Sequence, residues 1–81
     1  MSYWDKEEVI SEIHLSEKSK IVVSAVEKNG KQFVNVREFY CTSQDPTWKA
    51  SKNGMPVQYA YATALAEGIS KAGRVWRDSD A

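Results

Sequence analysis

Two runs near the middle of the chain, residues 21–26 and 33–36, are rich in β-branched residues. The segment between them contains Asn29-Gly30, flanked by Lys28 and Lys31. An Asn-Gly pair in this setting is a strong hairpin signal, because both residues accept the positive φ that a type I′ turn requires. The pattern therefore predicts two antiparallel strands joined at Asn29-Gly30.

A two-residue turn also fixes the register of the two strands. One face then carries small apolar pairs that suit a core, Ala25 opposite Val34 and Val23 opposite Val36. The other face is basic with aromatic residues interleaved, and its opposed pairs are Lys28–Lys31, Val26–Phe33, Ser24–Asn35, Val22–Arg37 and Lys20–Phe39.

The rest of the pattern predicts two more strands and one helix. Residues 48–52 favour a third strand, Asn53-Gly54 a turn, and residues 55–57 a fourth strand in which Pro56 must lie at a sheet edge or a strand end. Residues 58–72 are rich in alanine and favour a helix that ends at Gly73. We predict an α+β fold, a four-stranded antiparallel β-meander followed by one C-terminal α-helix.

The formal net charge of zero conceals an uneven distribution. Residues 1–17 carry one lysine against five acidic residues, a net charge of −4. Their apolar residues have a weak helical spacing, with a short strand at the end of the stretch as the alternative. Residues 18–54 carry seven basic residues against three acidic ones, a net charge of +4. We therefore divide the chain into an acidic N-terminal arm (1–17), a β-β-β-β-α domain (18–73) and a frayed tail (74–81). The basic segment could therefore attract an anionic partner although the net charge of the chain is zero.

Several classes of protein find no support in the sequence. It lacks the run of about eighteen apolar residues that a membrane span requires, and its acidic N-terminus is unlike a signal peptide. Cys41 and His14 occur once each and outside any catalytic or metal-binding motif. The glycines form no phosphate-binding loop. We expect no enzymatic activity, no metal and no cofactor.

The basic face of the hairpin carries the strongest functional signal. Two lysines directly opposite each other repel, and a bridging phosphate would turn that repulsion into charge-assisted contact. Aromatic rings at Phe39, Tyr40 and Trp48 could each stack a base, which is worth roughly 1–3 kcal/mol whatever the sequence. An equally simple reading is that the lysines only keep a sheet solvated.

Residues 20–71 resemble the positive-cofactor-four family of transcriptional coactivators and its bacterial and phage relatives. The most specific part of the resemblance is an apolar-x-apolar-Arg-Glu-aromatic-aromatic block, here residues 34–40. Other matching pieces are the strand at residues 20–24, the turn at Asn29-Gly30-Lys31, the pair Trp48-Lys49 and the segment Lys52-Asn53-Gly54-Met55.

The resemblance implies a dimer that binds single-stranded DNA on its strand surface, with Lys31, Arg37, Tyr40, Lys49 and Lys52 in the site. Together with the hairpin face, the candidate nucleic-acid-binding residues are Lys20, Lys28, Lys31, Arg37, Phe39, Tyr40, Trp48, Lys49 and Lys52. Strict alternation along the strand, however, places Tyr40 on the apolar face.

The helix carries a stripe of small residues at every fourth position, next to a bulky stripe. Small residues allow two helices to approach closely, so we predict a dimer that forms through helix and sheet. The candidate interface residues are Ala60, Tyr61, Ala64, Leu65, Gly68 and Ala72. The alternative explanation of the stripe is the high helix propensity of alanine, but Gly68 does not fit it, because glycine costs about 1 kcal/mol in a helix interior relative to alanine.

We therefore expect a single-stranded DNA-binding protein that acts in transcription, replication or recombination. One alternative is a protein-interaction module that docks a polymerase or a replication partner, and another is an RNA-binding protein. The single cysteine suits a reducing compartment, the cytoplasm of a bacterium or infected bacterial host, or a eukaryotic nucleus.

Overall fold

The computed structural model of the protein describes residues 3–79. The strands are β1 (Lys6–Ser16), β2 (Ser19–Lys28), β3 (Lys31–Tyr40) and β4 (Lys49–Gln58). They form one antiparallel sheet in the order β1-β2-β3-β4. A short 3-10 turn, Tyr59–Tyr61, then leads into a helix, α1 (Ala62–Ser79). The predicted α+β class, antiparallel meander and C-terminal helix are confirmed.

The central hairpin has the turn and the register that the sequence predicts. Asn29 and Gly30 both have positive φ, 52° and 78°, as a type I′ turn requires. Lys28 lies opposite Lys31, and the pairing continues without interruption to Ser19 opposite Tyr40.

The predicted third and fourth strands are one strand. β4 runs through Asn53-Gly54 without turning, so the turn predicted there is wrong. The pairing of β3 with β4 instead shifts register between Arg37 and Phe39, and a β-bulge of this kind absorbs the extra residues. Pro56 lies in this strand at the sheet edge, as predicted.

The fourth strand of the sheet comes from the acidic N-terminal segment. Residues 6–16, assigned above to an arm outside the domain, form β1 and pair with β2. The register shifts between Val9 and Ser11 and again between His14 and Ser16. These irregularities interrupt the alternation of apolar and polar residues, which explains why the sequence shows no clear strand pattern here.

The C-terminal helix is longer than predicted. It continues through Gly73 to Ser79, so the predicted stop at Gly73 and the frayed tail are wrong for residues 74–79; residues 80–81 lie outside the described residues. Arg77 lies in the last turn of α1, where a cation interacts favourably with the helix dipole. Within residues 3–79, no helix combines the length and apolar character needed to cross a membrane.

Burial in the single chain is greatest on the basic face of the hairpin and not on the predicted core face. Val22 and Val26 are the buried apolar residues of the described chain. Ala25 is exposed, and Val23 and Val34 are only half-buried.

The predicted core face is not buried because the helix does not cover it. The helix stands clear of its own sheet, and within residues 62–78 only Ala62 and Leu65 are even half-buried. A cavity of about 410 Å³ remains between the sheet and the helix. Its apolar lining residues are Ile21, Val36, Met55, Leu65 and Ile69.

Replacing Gly30 with alanine tests the turn. A Cβ at Gly30 would meet no atom within 4 Å, so the change acts through the backbone alone. A left-handed conformation costs a residue with a side chain roughly 1–2 kcal/mol. We expect Gly30→Ala to lower the free energy of unfolding, measured by urea denaturation, by about 1 kcal/mol.

The matched control is Gly73→Ala. The space around Gly73 is equally open, but this glycine is helical. Alanine should therefore raise the free energy of unfolding by about 0.5–1 kcal/mol. A Gly30→Ala variant that was as stable as the unchanged protein, or more stable, would contradict the assignment of the turn.

Candidate nucleic-acid interface

The basic face of the sheet is built by the uninterrupted pairing of β2 with β3. We define it by Lys20, Val22, Ser24, Val26 and Lys28 of β2 and Lys31, Phe33, Asn35, Arg37 and Phe39 of β3. The edge strands β1 and β4 add residues to the basic face, because side chains of residues that lie directly opposite each other in neighbouring strands point to the same side of the sheet. Glu12 and Gly54 continue the row of Val22 and Arg37, and His14 and Ala50 continue the row of Lys20 and Phe39.

Arg37 is held in one position near the middle of this face. Its Nη1 donates a hydrogen bond of 2.8 Å to the Ser51 carbonyl oxygen. The guanidinium lies so close over Gly54 that a Cβ there would be 2.7 Å from Arg37 Cζ. Only glycine leaves room for this arrangement. A held guanidinium presents donors in a fixed fork, the geometry that suits a phosphate.

Lys20 belongs to a cluster of charged and aromatic side chains at one end of the face. Its ammonium group pairs with the Glu12 carboxylate and lies 4.5 Å from the centre of the Trp48 ring. The His14 ring meets Trp48 edge-on, with ring centres 6.2 Å apart. The hydrogen bond from Lys20, and then its charge, lower the pKa of Glu12 below the ordinary value. Lys20 therefore has an anionic partner within the chain.

The segment before β1 is fastened to the hairpin turn at the other end of the face. The Asp5 backbone N–H donates to the Glu27 carbonyl oxygen at 2.8 Å, and the Asn29 N–H donates to Asp5 Oδ2 at 2.8 Å. Lys28 donates from Nζ to the Tyr3 carbonyl oxygen at 2.8 Å and lies 4.7 Å from the centre of the Tyr3 ring.

These contacts bring two further aromatic side chains to the basic face. The Trp4 ring lies 5.9 Å from that of Phe33 and 4.9 Å from that of Tyr3. Sequence reasoning missed Tyr3 and Trp4, because their position depends on the hydrogen bonds of Asp5 to residues more than twenty positions away. The only indication in the sequence was that two aromatic residues, Tyr3 and Trp4, directly precede Asp5, a residue type whose side chain often accepts backbone hydrogen bonds.

Two cavities open on the basic face, and both are walled by Tyr3, Trp4 and Pro56. The larger, of about 520 Å³, also contains Asn35, Arg37, Phe39 and the acidic side chain of Glu7. The smaller, of about 230 Å³, contains residues of the turn and its flanks, namely Lys28, Asn29, Lys31 and Phe33. Each cavity therefore combines aromatic walls with a basic side chain.

The structure brings six of the candidate residues together and separates the other three. Lys20, Lys28, Lys31, Arg37, Phe39 and Trp48 lie on or beside the basic face. By register, Tyr40 and Lys49 face each other on the opposite side of the sheet, and Lys52 is exposed in the bulged part of β4. Tyr40 is 42% exposed, so it lies neither on the basic face nor in a core.

Lys49 also has an anionic partner. Its Nζ is 2.9 Å from Asp45 Oδ2, and this hydrogen bond, with those from Thr47, lowers the pKa of Asp45. Within residues 3–79, no group of three His, Cys, Asp or Glu side chains is placed to hold a metal ion.

The candidate dimer residues lie on the 3-10 turn and on α1, which follow the sheet in the chain. Ala60 and Tyr61 belong to the 3-10 turn, and Ala64, Leu65, Gly68 and Ala72 to α1. All six are exposed except Leu65, which is half-buried at the cavity under the helix.

Comparison with solved structures identifies the fold. The chain is similar to BPSL1147, a PC4 homolog from Burkholderia pseudomallei K96243, in an orthorhombic crystal form, with a TM-score of 0.76 and 19% sequence identity over 90% of this chain and 97% of that one. The tetragonal form gives a TM-score of 0.75 and 18% identity over 84% and 98% of the two chains. This chain has the fold of a PC4 homolog. The resemblance to the positive-cofactor-four family is thereby confirmed at the level of the fold.

Sequence comparison alone gives no such result. No family model matches the chain, and no curated protein matches it.

The ion pair of Glu12 with Lys20 predicts a pH effect. Because the pKa of Glu12 is lower in the folded protein than its ordinary value of 4.5, the pair stabilises the fold above that value, and the contribution is lost as the pH falls through the lowered pKa. An NMR titration of the Glu12 carboxyl carbon should show this lowered pKa. Lys20→Gln should return the pKa toward 4.5.

Lys6→Gln is the control for this titration. Lys6 pairs with Glu27, at 3.8 Å, and not with Glu12. Replacing Lys6 should therefore leave the pKa of Glu12 unchanged. A Glu12 pKa that did not respond to Lys20→Gln would show that the pair does not form in solution.

Proposed function

We propose that the protein binds single-stranded DNA on the basic face and acts as a coactivator-type protein in transcription, replication or recombination. The observation that carries the proposal is the combination on one face of a held guanidinium, lysines at both ends and two cavities with aromatic walls. The fold shared with a PC4 homolog supports the same conclusion. The proposal involves no catalytic step, no metal and no cofactor.

The phosphates would follow the basic side chains of the face. Arg37 would hold one phosphate near the centre, while Lys28 and Lys31 would hold another at the turn, where their mutual repulsion favours an anion. The bases would stack on the aromatic rings of Phe39 and Trp48, which need no particular sequence.

Binding would also exchange one set of anions for another. Lys20 and Lys28 have carboxylate partners within the chain, Glu12 and Asp5. A phosphate would replace these carboxylates, so the acidic N-terminal segment would compete with the ligand. The affinity for DNA would then depend on how well phosphates compete with these carboxylates at the lysines, and not on the net charge of zero.

We further propose that the protein is a dimer through α1 and the apolar face of the sheet. Large apolar side chains on one side of the helix are exposed in the single chain, namely Ile69 at 62% and Trp76, seven residues later, at 74%. Exposed apolar side chains that share one side of a helix are typical of an interface. A second copy would close the cavity between Leu65 and the sheet.

A protein-docking module is the second candidate function. It is favoured by the edge strand β1, where Val9, Ile10, Ile13 and Leu15 are each more than half exposed. An open strand edge can accept a strand of another protein. In this case charge reversal at Lys31 and Arg37 would leave the function intact, whereas changes in β1 would abolish it.

Arg37→Ala tests the proposed DNA site. Losing a charge-assisted hydrogen bond costs roughly 1.5–3 kcal/mol, so we expect the affinity for a short deoxythymidine oligomer to fall at least about tenfold. For the unchanged protein, contact with three or four phosphates predicts a slope of about −2 to −3 in log K against log salt. Fluorescence anisotropy at several salt concentrations measures both.

Two further variants sharpen this test. Gly54→Ala should push the Arg37 guanidinium aside and weaken binding by less than Arg37→Ala does, because the arginine side chain can shift. It should add nothing in the Arg37→Ala background. Lys6→Ala removes an equal charge on the other side of the sheet, opposite Glu27, and should have little effect. Salt-insensitive binding, or no binding, would refute the proposal, and tighter binding of a matched RNA would favour the RNA alternative.

Ile69→Asp tests the dimer. Ile69 is 62% exposed in the single chain, so the monomer tolerates a charge there, whereas an interface would have to bury it. We expect the unchanged protein to sediment as a dimer and Ile69→Asp as a monomer in analytical ultracentrifugation. Lys71→Asp, on the opposite side of α1, should remain dimeric. An unchanged protein that is monomeric at micromolar concentration would contradict the interface.

A further inference from the structure

Glu7 brings a carboxylate to the basic face of the sheet. It lies in β1 opposite Val26 of β2, so its side chain is on the same side of the sheet as Val26. It also lines the larger cavity of this face. A carboxylate repels a phosphate but accepts hydrogen bonds from N–H groups. At a surface that binds a nucleic-acid strand, such a group suits the edge of a base and not the backbone.

The other groups in this cavity also suit a base. Trp4 and Phe39 supply aromatic surfaces, and the Arg37 guanidinium lines the same cavity. Asn35 lines it too, and because its Oδ1 is buried, the amide can meet a ligand only through its Nδ2 donor. The volume of about 520 Å³ falls within the range of pockets that hold small organic groups, roughly 300–1,000 Å³.

We infer that this cavity takes one guanine base of a bound strand and that the Glu7 carboxylate selects it. The inference deepens the proposed function and rests on it. The base would stack on Trp4 or Phe39, while Arg37 holds the phosphate of the same nucleotide. The N1–H and the 2-amino group of guanine would donate to the two carboxylate oxygens of Glu7. Asn35 Nδ2 would donate to the guanine O6.

Guanine is the base whose edge matches these groups. It presents two adjacent donors, and one carboxylate can accept both. Adenine and cytosine each present one amino group beside an acceptor ring nitrogen, which would face a carboxylate oxygen and be repelled. Thymine presents a single N–H between two carbonyl oxygens. Each of these three bases would leave polar groups of the cavity unpaired, which lowers affinity.

A short deoxythymidine oligomer with one central purine tests this preference. The central base is guanine, hypoxanthine or adenine. Hypoxanthine is guanine without the 2-amino group, and adenine lacks both donors. We expect guanine to bind about fivefold more tightly than hypoxanthine and at least about tenfold more tightly than adenine, the scale of one and two hydrogen bonds to a charged group. Fluorescence anisotropy at one fixed salt concentration gives the three dissociation constants.

Glu7→Gln assigns the preference to this carboxylate. Glutamine has the same shape, but it replaces one acceptor oxygen with an amino group that would oppose the guanine donors. Glu7 is exposed at the edge of the sheet, so the change leaves the fold in place. The affinities for the guanine and hypoxanthine oligomers should become nearly equal, while binding of the plain deoxythymidine oligomer persists.

Glu8→Gln is the matched control for this variant. Glu8 lies opposite Ala25, on the other side of the sheet, so this change removes the same charge from the neighbouring residue and should keep the preference.

The outcomes separate the inference from the proposed function. Equal affinity of the unchanged protein for the three purine oligomers would overturn the inference and leave the proposed function standing. A Glu7→Gln variant that bound all three more tightly, in an unchanged ratio, would show that Glu7 only repels the strand and would also overturn the inference. Failure to bind any oligomer, the plain deoxythymidine one included, would instead refute the proposed function.

Discussion

The register of the β2–β3 hairpin is the constraint on which the interface depends. A turn at Asn29-Gly30, with positive φ at both residues, sets Lys28 opposite Lys31 and so fixes the pairs along both strands. A slip of one residue would move every side chain to the other face. Arg37 would then leave Gly54, and Asn35 would leave the cavity lined by Trp4. The face on which each β2 and β3 residue of the proposed site lies therefore follows from a two-residue turn.

The acidic N-terminal segment has a definite place in this arrangement. Because β1 pairs with β2, Glu12 lies beside Lys20, and Asp5 lies beside the turn and Lys28. The acidic and basic segments, with net charges of −4 and +4, thus meet on one sheet and do not remain apart. Such a protein carries its own competing anions, which favours a ligand with several phosphates over an isolated anion.

The parts of this account that could be predicted from the sequence are those that local chemistry determines. The Asn-Gly turn and β-branched runs specify the hairpin, its register and the face of Arg37. The remainder depends on contacts distant in sequence. The bulges of β1 hide its alternation, pairing with Arg37 keeps Asn53-Gly54 extended, and hydrogen bonds of Asp5 to the hairpin bring Trp4 over Phe33. Gly73 lies inside α1, although glycine often marks the end of a helix.

The three tryptophans provide the most direct test of the central claim, that a single strand binds on the basic face. Trp4 and Trp48 lie at this face, beside Phe33 and Lys20, whereas Trp76 lies on α1 and is 74% exposed. Each indole N–H gives its own signal in a ¹⁵N NMR spectrum. Titration with a short deoxythymidine oligomer at low salt should shift the signals of Trp4 and Trp48 and leave that of Trp76 in place. A shift confined to Trp76, or saturating binding with no shift at Trp4 and Trp48, would contradict the account.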